Sequence, residues 1–373
     1  MNPFQLLIKP VSYRCNLRCS YCFYLRVKKV YPNEKYPKMN EQVLETMISQ
    51  YLGYQLHESI FGWQGGEPTL AGLDFFKNVV RLQQKYGKSG QIVGNALQTN
   101  GVLIDDEWCK FLRKYKFLVG LSLDGPKSIH DKYRKTVGGK SVWKKVMNAA
   151  NLLRRYQVEY NILCVISKAN VNHVKEVFEF FIKNGFYYLQ FIPALEVDET
   201  GKKAAFSINS NQYGKFLCDL FDLWKKIPSK ISIRLFNTLL AKKMGHPGDF
   251  CVLDKNCANY LLIEWNGDIY PCDFFAKNTY KLGNVMEGDL KFLLDKRNHT
   301  FGELKRQLSK DCIECNWLTY CYGGCVKDRR FIDNPHPEKT YYCEGLKIFF
   351  EYSNEWFSNY IQKFSQTSER LKA

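Results

Sequence analysis

The chain has 373 residues, of which 45% are hydrophobic, and carries a formal net charge of +17 at pH 7. This length and hydrophobic content exclude a mainly disordered chain and suit one large domain with a smaller one. The sequence shows neither a signal-peptide pattern nor an apolar stretch of membrane-spanning length, so we expect a cytoplasmic protein.

Short β-rich runs alternate with amphipathic helical patterns between Gln5 and about Leu195. This alternation predicts consecutive βαβ units, whose parallel strands can close into a barrel. The six candidate strands are QLLIKP, SIFGWQ, QIVGNALQ, FLVGLSLD, YNILCVIS and YYLQFIP. Six units are two fewer than a full eight-unit barrel contains. We therefore predict an α/β fold with a partial (β/α)6 TIM-like barrel that stays open at one side.

Polar or glycine-rich motifs follow five of these six strands. CNLRCSYC follows the first, GGEPT the second, QTNG the third, SLDGP the fourth and PALE the sixth. Barrel enzymes carry their active sites at the carboxyl ends of the strands. These motifs are therefore predicted to share one catalytic face.

Three cysteines stand close together on the loop after the first strand, namely Cys15, Cys19 and Cys22. Three thiolates leave one iron of a 4Fe–4S cube without a protein ligand, so that a small molecule can coordinate it. A structural zinc site needs four ligands, and no fourth Cys or His lies nearby in the sequence. The C-x3-C-x2-C spacing, with Tyr21 before the last Cys, resembles the radical S-adenosylmethionine (AdoMet) superfamily. In that family the open iron binds the amino and carboxylate groups of AdoMet.

The turn Gly65-Gly66-Glu67-Pro68, after the second strand, matches the GGEP motif of the same superfamily. The resemblance implies that its backbone and carboxylate hold the methionine amino group of AdoMet. By itself a Gly-Gly-Glu turn also suits an ordinary β–α connection. Its position one βα unit after the cysteine loop favours the cofactor interpretation.

The second half of the chain is rich in cysteines. Cys257 and Cys272 are followed by a C-x2-C-x5-C-x3-C run that begins at Cys312, and then by Cys343. Taken alone, these spacings fit a zinc ribbon as well as an iron–sulfur domain. Beside the N-terminal loop they resemble the SPASM extension of radical AdoMet enzymes, which carries two auxiliary 4Fe–4S clusters. The implied ligand sets are Cys251, Cys257, Cys272 and Cys325 for one cluster, and Cys312, Cys315, Cys321 and Cys343 for the other.

The predicted domain organisation combines these patterns. The radical AdoMet barrel occupies residues 1–235, the SPASM domain residues 236–350 and a C-terminal helix residues 351–373. The predicted cofactors are three 4Fe–4S clusters and AdoMet.

Longer strings resemble the anaerobic sulfatase-maturating enzymes of this superfamily, among them LLIKPVSYRCNLRCSYCFY, GWQGGEPTLAG, LQTNGVLID and YPCDFF. Those enzymes oxidise a Cys or Ser in a sulfatase C/S-x-P-x-R motif to formylglycine. The resemblance implies that a radical cut from AdoMet removes hydrogen from the target Cβ and that Asp273 accepts the thiol or hydroxyl proton. It further implies that Tyr24 and Gln64 face the peptide. The implied AdoMet contacts are Tyr21, Gly66, Ser122, Arg134 and Leu195.

Two other interpretations stay open at this point. A SPASM enzyme that modifies another ribosomal peptide would keep the fold, but such enzymes commonly carry an N-terminal recognition domain, for which we expect no room here. A zinc-ribbon module that binds nucleic acid accounts for the positive charge and the later cysteines. It leaves C-x3-C-x2-C, GGEP and the six βα units unexplained.

The basic residues are dispersed among acidic ones, as at Lys144, Lys145, Lys225 and Lys226, so we predict solvated surfaces rather than a nucleic-acid site. The expected partners are a sulfatase polypeptide and an acidic electron donor, either a flavodoxin or a ferredoxin. We expect no membrane partner and a monomeric enzyme.

Overall fold

The computed structural model describes residues 3–248 and 250–370 and divides the chain into two compact units. The first unit comprises Met1–Leu123, His130–Ile162 and Asn259–Glu303. The second comprises Asp124–Ile129, Leu163–Ala258 and Leu304–Ala373. The predicted domain boundaries at residues 235 and 350 stay a prediction.

Ten β-strands form within the described residues. They are β1 Gln5–Lys9, β2 Glu58–Trp63, β3 Ile92–Thr99, β4 Leu118–Ser122, β5 Tyr160–Ile166, β6 Tyr188–Pro193, β7 Ser232–Ile233, β8 Tyr260–Glu264, β9 Asp268–Tyr270 and β10 Gly283–Asn284. In the first unit the strand order is β10-β9-β8-β1-β2-β3-β4. In the second unit, which contains the end of β5, the strand order is β5-β6-β7.

Fourteen α-helices accompany these strands in the described part of the chain. They are α1 Glu41–Gly53, α2 Leu73–Tyr86, α3 Asp106–Lys114, α4 Lys127–Tyr133, α5 Trp143–Arg155, α6 Val174–Lys183, α7 Ser210–Trp224, α8 Arg234–Lys243, α9 Leu290–His299, α10 Phe301–Arg306, α11 Lys310–Ile313, α12 Leu318–Cys321, α13 Val326–Arg329 and α14 Cys343–Arg370. Short 3₁₀ helices cover Phe23–Lys29, Pro68–Ala71, Cys251–Leu253, Asp273–Phe275 and Asn278–Tyr280. No described helix is both long and apolar enough to cross a membrane.

Two helices of the first unit begin at a capping side chain. The Asn40 side chain accepts a hydrogen bond from the Val43 N–H at 2.8 Å, and Asp105 accepts one from the Trp108 N–H at 2.9 Å. Such caps satisfy backbone N–H groups that the first helical turn leaves without partners. Asn40 and Asp105 therefore mark the starts of α1 and α3.

The central strands of the first unit are parallel. Gln5 of β1 lies opposite Ile60 of β2 on one side and opposite Tyr260 of β8 on the other. Strands β2, β3 and β4 continue this parallel arrangement. Because parallel strands end at the same edge of a sheet, the segments that follow β1 to β4 are gathered at one edge. The cysteine loop, the GGEP turn and the ends of β3 and β4 share this position.

The second unit is held by aromatic side chains between α7 and α14. Phe221 and Trp224 of α7 contact Phe357 of α14, with ring centroids 5.3 and 6.0 Å apart. The two helices can approach closely at Gly345 because glycine has no Cβ. A Cβ at this position would lie 2.0 Å from the carbonyl oxygen of Ser210. The C-terminal helix predicted from the sequence is present, and it begins at Cys343 rather than at residue 351.

The six predicted βα strands are all present, and the predicted fold class is confirmed. The sequence did not predict β7 to β10, which have between two and five residues. It also missed α4, a helix of seven residues.

Candidate active site

The cysteine loop joins β1 to the 3₁₀ helix Phe23–Lys29. Its backbone is turned so that the Cys22 N–H donates to the Cys19 carbonyl at 3.1 Å. Burial, reinforced by Glu67, raises the pKa of Cys15 to about 12, and burial together with Cys19 raises that of Cys22 to about 11. Cys19, which lies between these two cysteines in the sequence, is buried, and Cys15 and Cys22 are partly buried. Three neighbouring cysteines of this kind suit a cationic iron centre, which stabilises thiolates. The donor set therefore fits a three-cysteine iron–sulfur cluster.

The GGEP turn packs directly on the backbone of this loop. The Gly66 N–H donates to the Ser12 carbonyl at 2.7 Å, and the Glu67 N–H donates to the Arg14 carbonyl at 2.8 Å. A Cβ on Gly66 would lie 2.1 Å from the Arg14 oxygen, which no side chain tolerates. Glycine is therefore required at residue 66 for the turn to reach the cysteine loop.

The Glu67 carboxylate is buried and bound by the chain itself. It accepts hydrogen bonds from the Thr69 hydroxyl at 2.6 Å, the Thr99 hydroxyl at 2.8 Å and the Asn100 N–H at 2.7 Å. Burial nevertheless raises its pKa. The Asn100 amide in turn donates to the Asn16 side chain at 2.7 Å. Glu67 thus ties the ends of β2 and β3 to the cysteine loop, and its predicted contact with the amino group of AdoMet stays a prediction.

Two of the predicted AdoMet contacts lie together beside the cysteine loop. The buried Arg134 donates a hydrogen bond to the Tyr21 hydroxyl at 2.9 Å. A third, Ser122 at the end of β4, accepts from the Gln98 side chain at 3.0 Å. Leu195 belongs to the second unit, where it is buried and its carbonyl accepts from Lys327 at 2.6 Å.

The predicted base and the predicted peptide contacts form one hydrogen-bonded group in the first unit. The Tyr24 hydroxyl donates to Asp273 Oδ2 at 2.5 Å, and the Gln64 amide donates to the same oxygen at 2.9 Å. Gln64 also donates to the Tyr24 hydroxyl at 2.7 Å. Burial and the Asp273 carboxylate raise the pKa of Tyr24 well above its usual value, so this phenol is a donor. The structure thus brings together three residues that are up to 249 positions apart.

A buried lysine that the sequence analysis missed completes this group. Lys9 is fully buried, and its Nζ lies 2.7 Å from Asp273 Oδ1 and 3.3 Å from Glu264 Oε1. Burial alone would lower the pKa of Lys9, but the two carboxylates outweigh burial and raise it. Lys9 also lies 4.8 Å from the centre of the Tyr24 ring. The sequence signal that could have identified Lys9 is its position directly after the apolar run Leu6-Leu7-Ile8, within a predicted strand.

Tyr260 links this group to a cysteine of the predicted auxiliary cluster. Its hydroxyl donates to Cys272 Sγ at 3.3 Å and accepts from the Asp273 N–H at 3.2 Å. One phenol thus contacts both the predicted base and the cysteine sulfur. No sequence signal distinguishes Tyr260, because tyrosine is common in β-strands.

Four cysteines of the second unit line one cavity, namely Cys312, Cys315, Cys321 and Cys343. Trp317 and Phe350 provide apolar walls. Four thiols around one cavity fit a fully ligated 4Fe–4S cluster. This is the ligand set that the sequence predicts for the second auxiliary cluster, and its role stays a prediction.

Two buried cations lie among the second-unit cysteines. Arg329 donates to six backbone carbonyls, which belong to Leu304, Lys305, Gln307, Tyr322, Gly323 and Gly324. Lys305 donates to the carbonyls of Gly324 and Val252. Burial lowers the pKa of both residues, and nearby cysteines, including Cys257 and Cys325, oppose the shift. The cations therefore order the loop that carries Cys321 and Cys325.

The remaining predicted ligands are divided between the units. Cys251, Cys257 and Cys325 belong to the second unit and Cys272 to the first, so the four-cysteine set stays a prediction. Among the described residues, no group of three His, Cys, Asp or Glu side chains is arranged to hold a single metal ion.

Family models match both halves of the chain. Residues 10–181 match the radical SAM superfamily, and residues 251–316 match SPASM, an iron-sulfur cluster-binding domain.

Three relatives are similar over nearly the whole length. The chain is 40% identical to a cysteine-type anaerobic sulfatase-maturating enzyme of Clostridium perfringens, covering 95% of this chain and 97% of that protein. It is 37% identical to a serine-type anaerobic sulfatase-maturating enzyme of Bacteroides thetaiotaomicron, covering 94% and 89%. The structure of native anSMEcpe with bound AdoMet and Cp18Cys peptide is similar, with a TM-score of 0.89 at 39% identity, and the alignment covers 97% of this chain and 99% of that one.

Proposed function

Because the chain belongs to the anaerobic sulfatase-maturating enzymes of the radical SAM superfamily, we propose that it oxidises a Cys or Ser of a sulfatase to formylglycine. The target lies in a C/S-x-P-x-R motif of the sulfatase polypeptide. The observation that carries this proposal onto particular residues is the group formed by Asp273, Tyr24, Gln64 and Lys9. It offers a buried proton acceptor beside a predicted cluster ligand.

The oxidation removes two hydrogens from the target side chain. When bound, AdoMet and the cluster of the cysteine loop supply the radical that takes one hydrogen atom from Cβ. Asp273 accepts the second hydrogen, as the proton of the thiol or hydroxyl group. Cys272 would be among the ligands that hold the first auxiliary cluster, and that cluster would supply the acceptor for the electron left on the substrate. A Ser target gives the aldehyde directly, whereas a Cys target gives a thioaldehyde that water hydrolyses.

The neighbours of Asp273 determine how it performs this step. Lys9 holds Oδ1 at 2.7 Å, which leaves Oδ2 directed at Tyr24 and Gln64. Tyr24 and Gln64 are proposed to face the peptide. The proton of the substrate therefore approaches Asp273 at Oδ2, the oxygen that these two side chains contact. Tyr260 bonds to both Asp273 and Cys272, which keeps the proton acceptor next to the electron acceptor.

We assign the remaining roles by resemblance, as part of this proposal. Tyr21, Gly66, Ser122, Arg134 and Leu195 bind AdoMet, and eight cysteines hold the two auxiliary clusters. A flavodoxin or ferredoxin supplies the electron that starts the reaction. We place the enzyme in the cytoplasm, a reducing compartment in which thiols remain available as cluster ligands. One chain carries every proposed residue, so a monomer suffices.

The proposal is tested with anaerobically purified enzyme, reconstituted clusters, AdoMet, dithionite and a peptide that contains C-x-P-x-R or S-x-P-x-R. Mass spectrometry is expected to show the conversion of Cys or Ser to formylglycine, together with 5′-deoxyadenosine. Asp273→Asn is expected to form 5′-deoxyadenosine but to lose product formation by at least about 100-fold. Asp74→Asn, an exposed carboxylate on α2, serves as the control and is expected to match the wild type.

Formation of 5′-deoxyadenosine with both peptides unchanged would contradict the sulfatase assignment. The radical chemistry would then serve another peptide, which is the alternative left open by the sequence.

A further inference from the structure

Two surface segments flank the cysteine loop within the first unit. On one side, the Arg18 N–H donates to the Lys135 carbonyl at 2.9 Å, and the Ser20 N–H donates to the Tyr133 carbonyl at 3.0 Å. On the other side, the Tyr13 hydroxyl donates to the Glu34 carbonyl, and the Arg14 guanidinium lies 5.4 Å from the centre of the Tyr36 ring. The segments 18–38 and 130–141 therefore form the surface around the cluster ligands.

This surface is strongly basic. We call its exposed cations the basic rim, which consists of Arg18, Arg26, Lys28, Lys29, Lys35, Lys38, Lys132, Lys135 and Lys140. The same segments contain two acidic residues, Glu34 and Asp131, which are both half-buried. Asp131 accepts a hydrogen bond from the Ser141 hydroxyl at 2.6 Å. Nine exposed cations against two acids give this surface a much higher positive charge density than the dispersed charge elsewhere in the sequence.

Four exposed lysines of the rim are not neutralised within the described part of the protein. In the part of the chain that the structure describes, no carboxylate forms an ion pair with Lys28, Lys29, Lys132 or Lys135. Their charge is available to an external partner. Like charges held together on a surface raise the free energy of the isolated protein, and an anionic partner relieves this repulsion.

Exposed apolar side chains stand among these cations. Leu25 is 44% exposed, Tyr36 72% and Val137 67%. Apolar contact residues within a charged border are the usual composition of a transient protein–protein interface. The surrounding cations attract and orient an acidic partner, and the apolar side chains provide contact area for it once it is bound.

We propose that the basic rim is the docking surface for an acidic one-electron carrier protein of the flavodoxin or ferredoxin class. The inference rests on the proposed function, which requires an electron at the cluster of the cysteine loop. Cys22 immediately precedes the 3₁₀ helix that carries Lys28 and Lys29. With a rise of about 2 Å per residue, this helix ends roughly 14 Å from the last cluster ligand. The docked carrier is oxidised by one electron, and the cluster held by Cys15, Cys19 and Cys22 is reduced by one.

The test uses the holoenzyme and reverses two charges of the rim, as Lys28→Glu with Lys29→Glu. The matched control is Lys144→Glu with Lys145→Glu, an exposed pair on α5 with the same change in net charge. Product formation is measured with a reduced flavodoxin as the electron donor and, separately, with dithionite. The rim variant is expected to raise the KM for flavodoxin about tenfold at low salt and to leave the dithionite rate within about twofold of wild type. The control pair is expected to change either value by less than about twofold.

Direct binding gives a readout that does not depend on turnover. Titration calorimetry with oxidised flavodoxin is expected to show a Kd about tenfold higher for the rim variant, with the difference shrinking as salt screens the charges. If Lys28→Glu with Lys29→Glu fails to fold, Lys132→Glu with Lys135→Glu tests the opposite side of the rim.

Equal effects of the rim and control pairs on flavodoxin binding would overturn the proposal. A rise in the KM for the sulfatase polypeptide under dithionite, without a change for flavodoxin, would assign the rim to the substrate and overturn it as well. Absence of dithionite-driven product in the wild type would instead contradict the proposed function, whereas flavodoxin binding would still report on the rim.

Discussion

At the scale of single residues, Lys9 controls the geometry of the proposed base. Its ammonium lies between Asp273 and Glu264, and all three side chains are buried, so that Lys9 is the close positive partner of both carboxylates. Removal of one partner from a buried ion pair is costly because the other charge stays buried. Lys9 does not need to touch the substrate, and we regard it as a positioning residue.

Lys9→Met is expected to lower formylglycine formation by at least about 100-fold, because Asp273 loses the contact that directs its second oxygen toward Tyr24. 5′-Deoxyadenosine is still expected, so the ratio of 5′-deoxyadenosine to product rises. Urea unfolding is expected to show a loss of about 3 kcal/mol in the free energy of unfolding. Lys77→Met, an exposed lysine on α2, is the control. An unchanged product ratio in Lys9→Met would show that the lysine has a purely structural role.

The residues that sequence reasoning found and missed differ in how they are recognised. Asp273, Tyr24 and Gln64 were found because they stand in strings that resemble a known family. Lys9 lies on β1, whereas Tyr260 and Glu264 lie on β8. These two strands are distant in the sequence but adjacent in the sheet. The parallel pairing of β1 with β8 brings these three side chains together. Hydrophobic periodicity predicts that a segment is a strand but not which strand it pairs with, so the sequence analysis missed them.

At the scale of elements, the contact between the GGEP turn and the cysteine loop determines whether the first cluster can form. Gly66→Ala places a Cβ about 2.1 Å from the Arg14 carbonyl oxygen, so turn and loop must separate. We expect this variant to lose AdoMet binding and most of the iron of the first cluster. Gly53→Ala, at the end of α1, has no atom within 4 Å of the new Cβ and is the control. Iron analysis and AdoMet titration check the prediction, and full AdoMet binding by Gly66→Ala would contradict it.

The second unit depends in the same way on one side chain. Arg329 binds six backbone carbonyls around the residues that lead to Cys321 and Cys325. Arg329→Met leaves these carbonyls without a donor, and we expect a loss of about 3 kcal/mol or more in the free energy of unfolding. The auxiliary clusters are expected to assemble poorly while the first cluster is retained. Arg330→Met, at an exposed neighbouring position, is the control, and iron content with EPR spectroscopy distinguishes the two variants.

At the scale of the whole molecule, the accuracy of the sequence-based fold follows from the length of each element. The six βα strands have five to eight residues with a clear apolar pattern, and all were predicted. Strands β7, β9 and β10 have two or three residues, too few for a periodic pattern to be seen. β8 has only three consecutive aliphatic residues, Leu261 to Ile263, before the charged Glu264, and the cysteines on either side of it are more typical of a metal-binding segment than of a strand. Long-range pairing with β1 carries no local signal.

The net charge of the whole molecule also has a measurable consequence. The chain carries +17 at pH 7, and part of this charge is concentrated in the basic rim. Like charges repel one another most strongly in the compact folded state, so salt is expected to stabilise this protein. Screening shortens the reach of each charge from about 30 Å at about 0.01 M salt to about 8 Å at about 0.15 M.

We expect the urea midpoint of the anaerobic holoenzyme to rise with sodium chloride over this range. The variant Lys28→Glu with Lys29→Glu lowers the net charge and is expected to show a smaller rise. A midpoint that falls with salt would mean that attractive ion pairs, rather than repulsion among the cations, dominate the electrostatics of the folded chain.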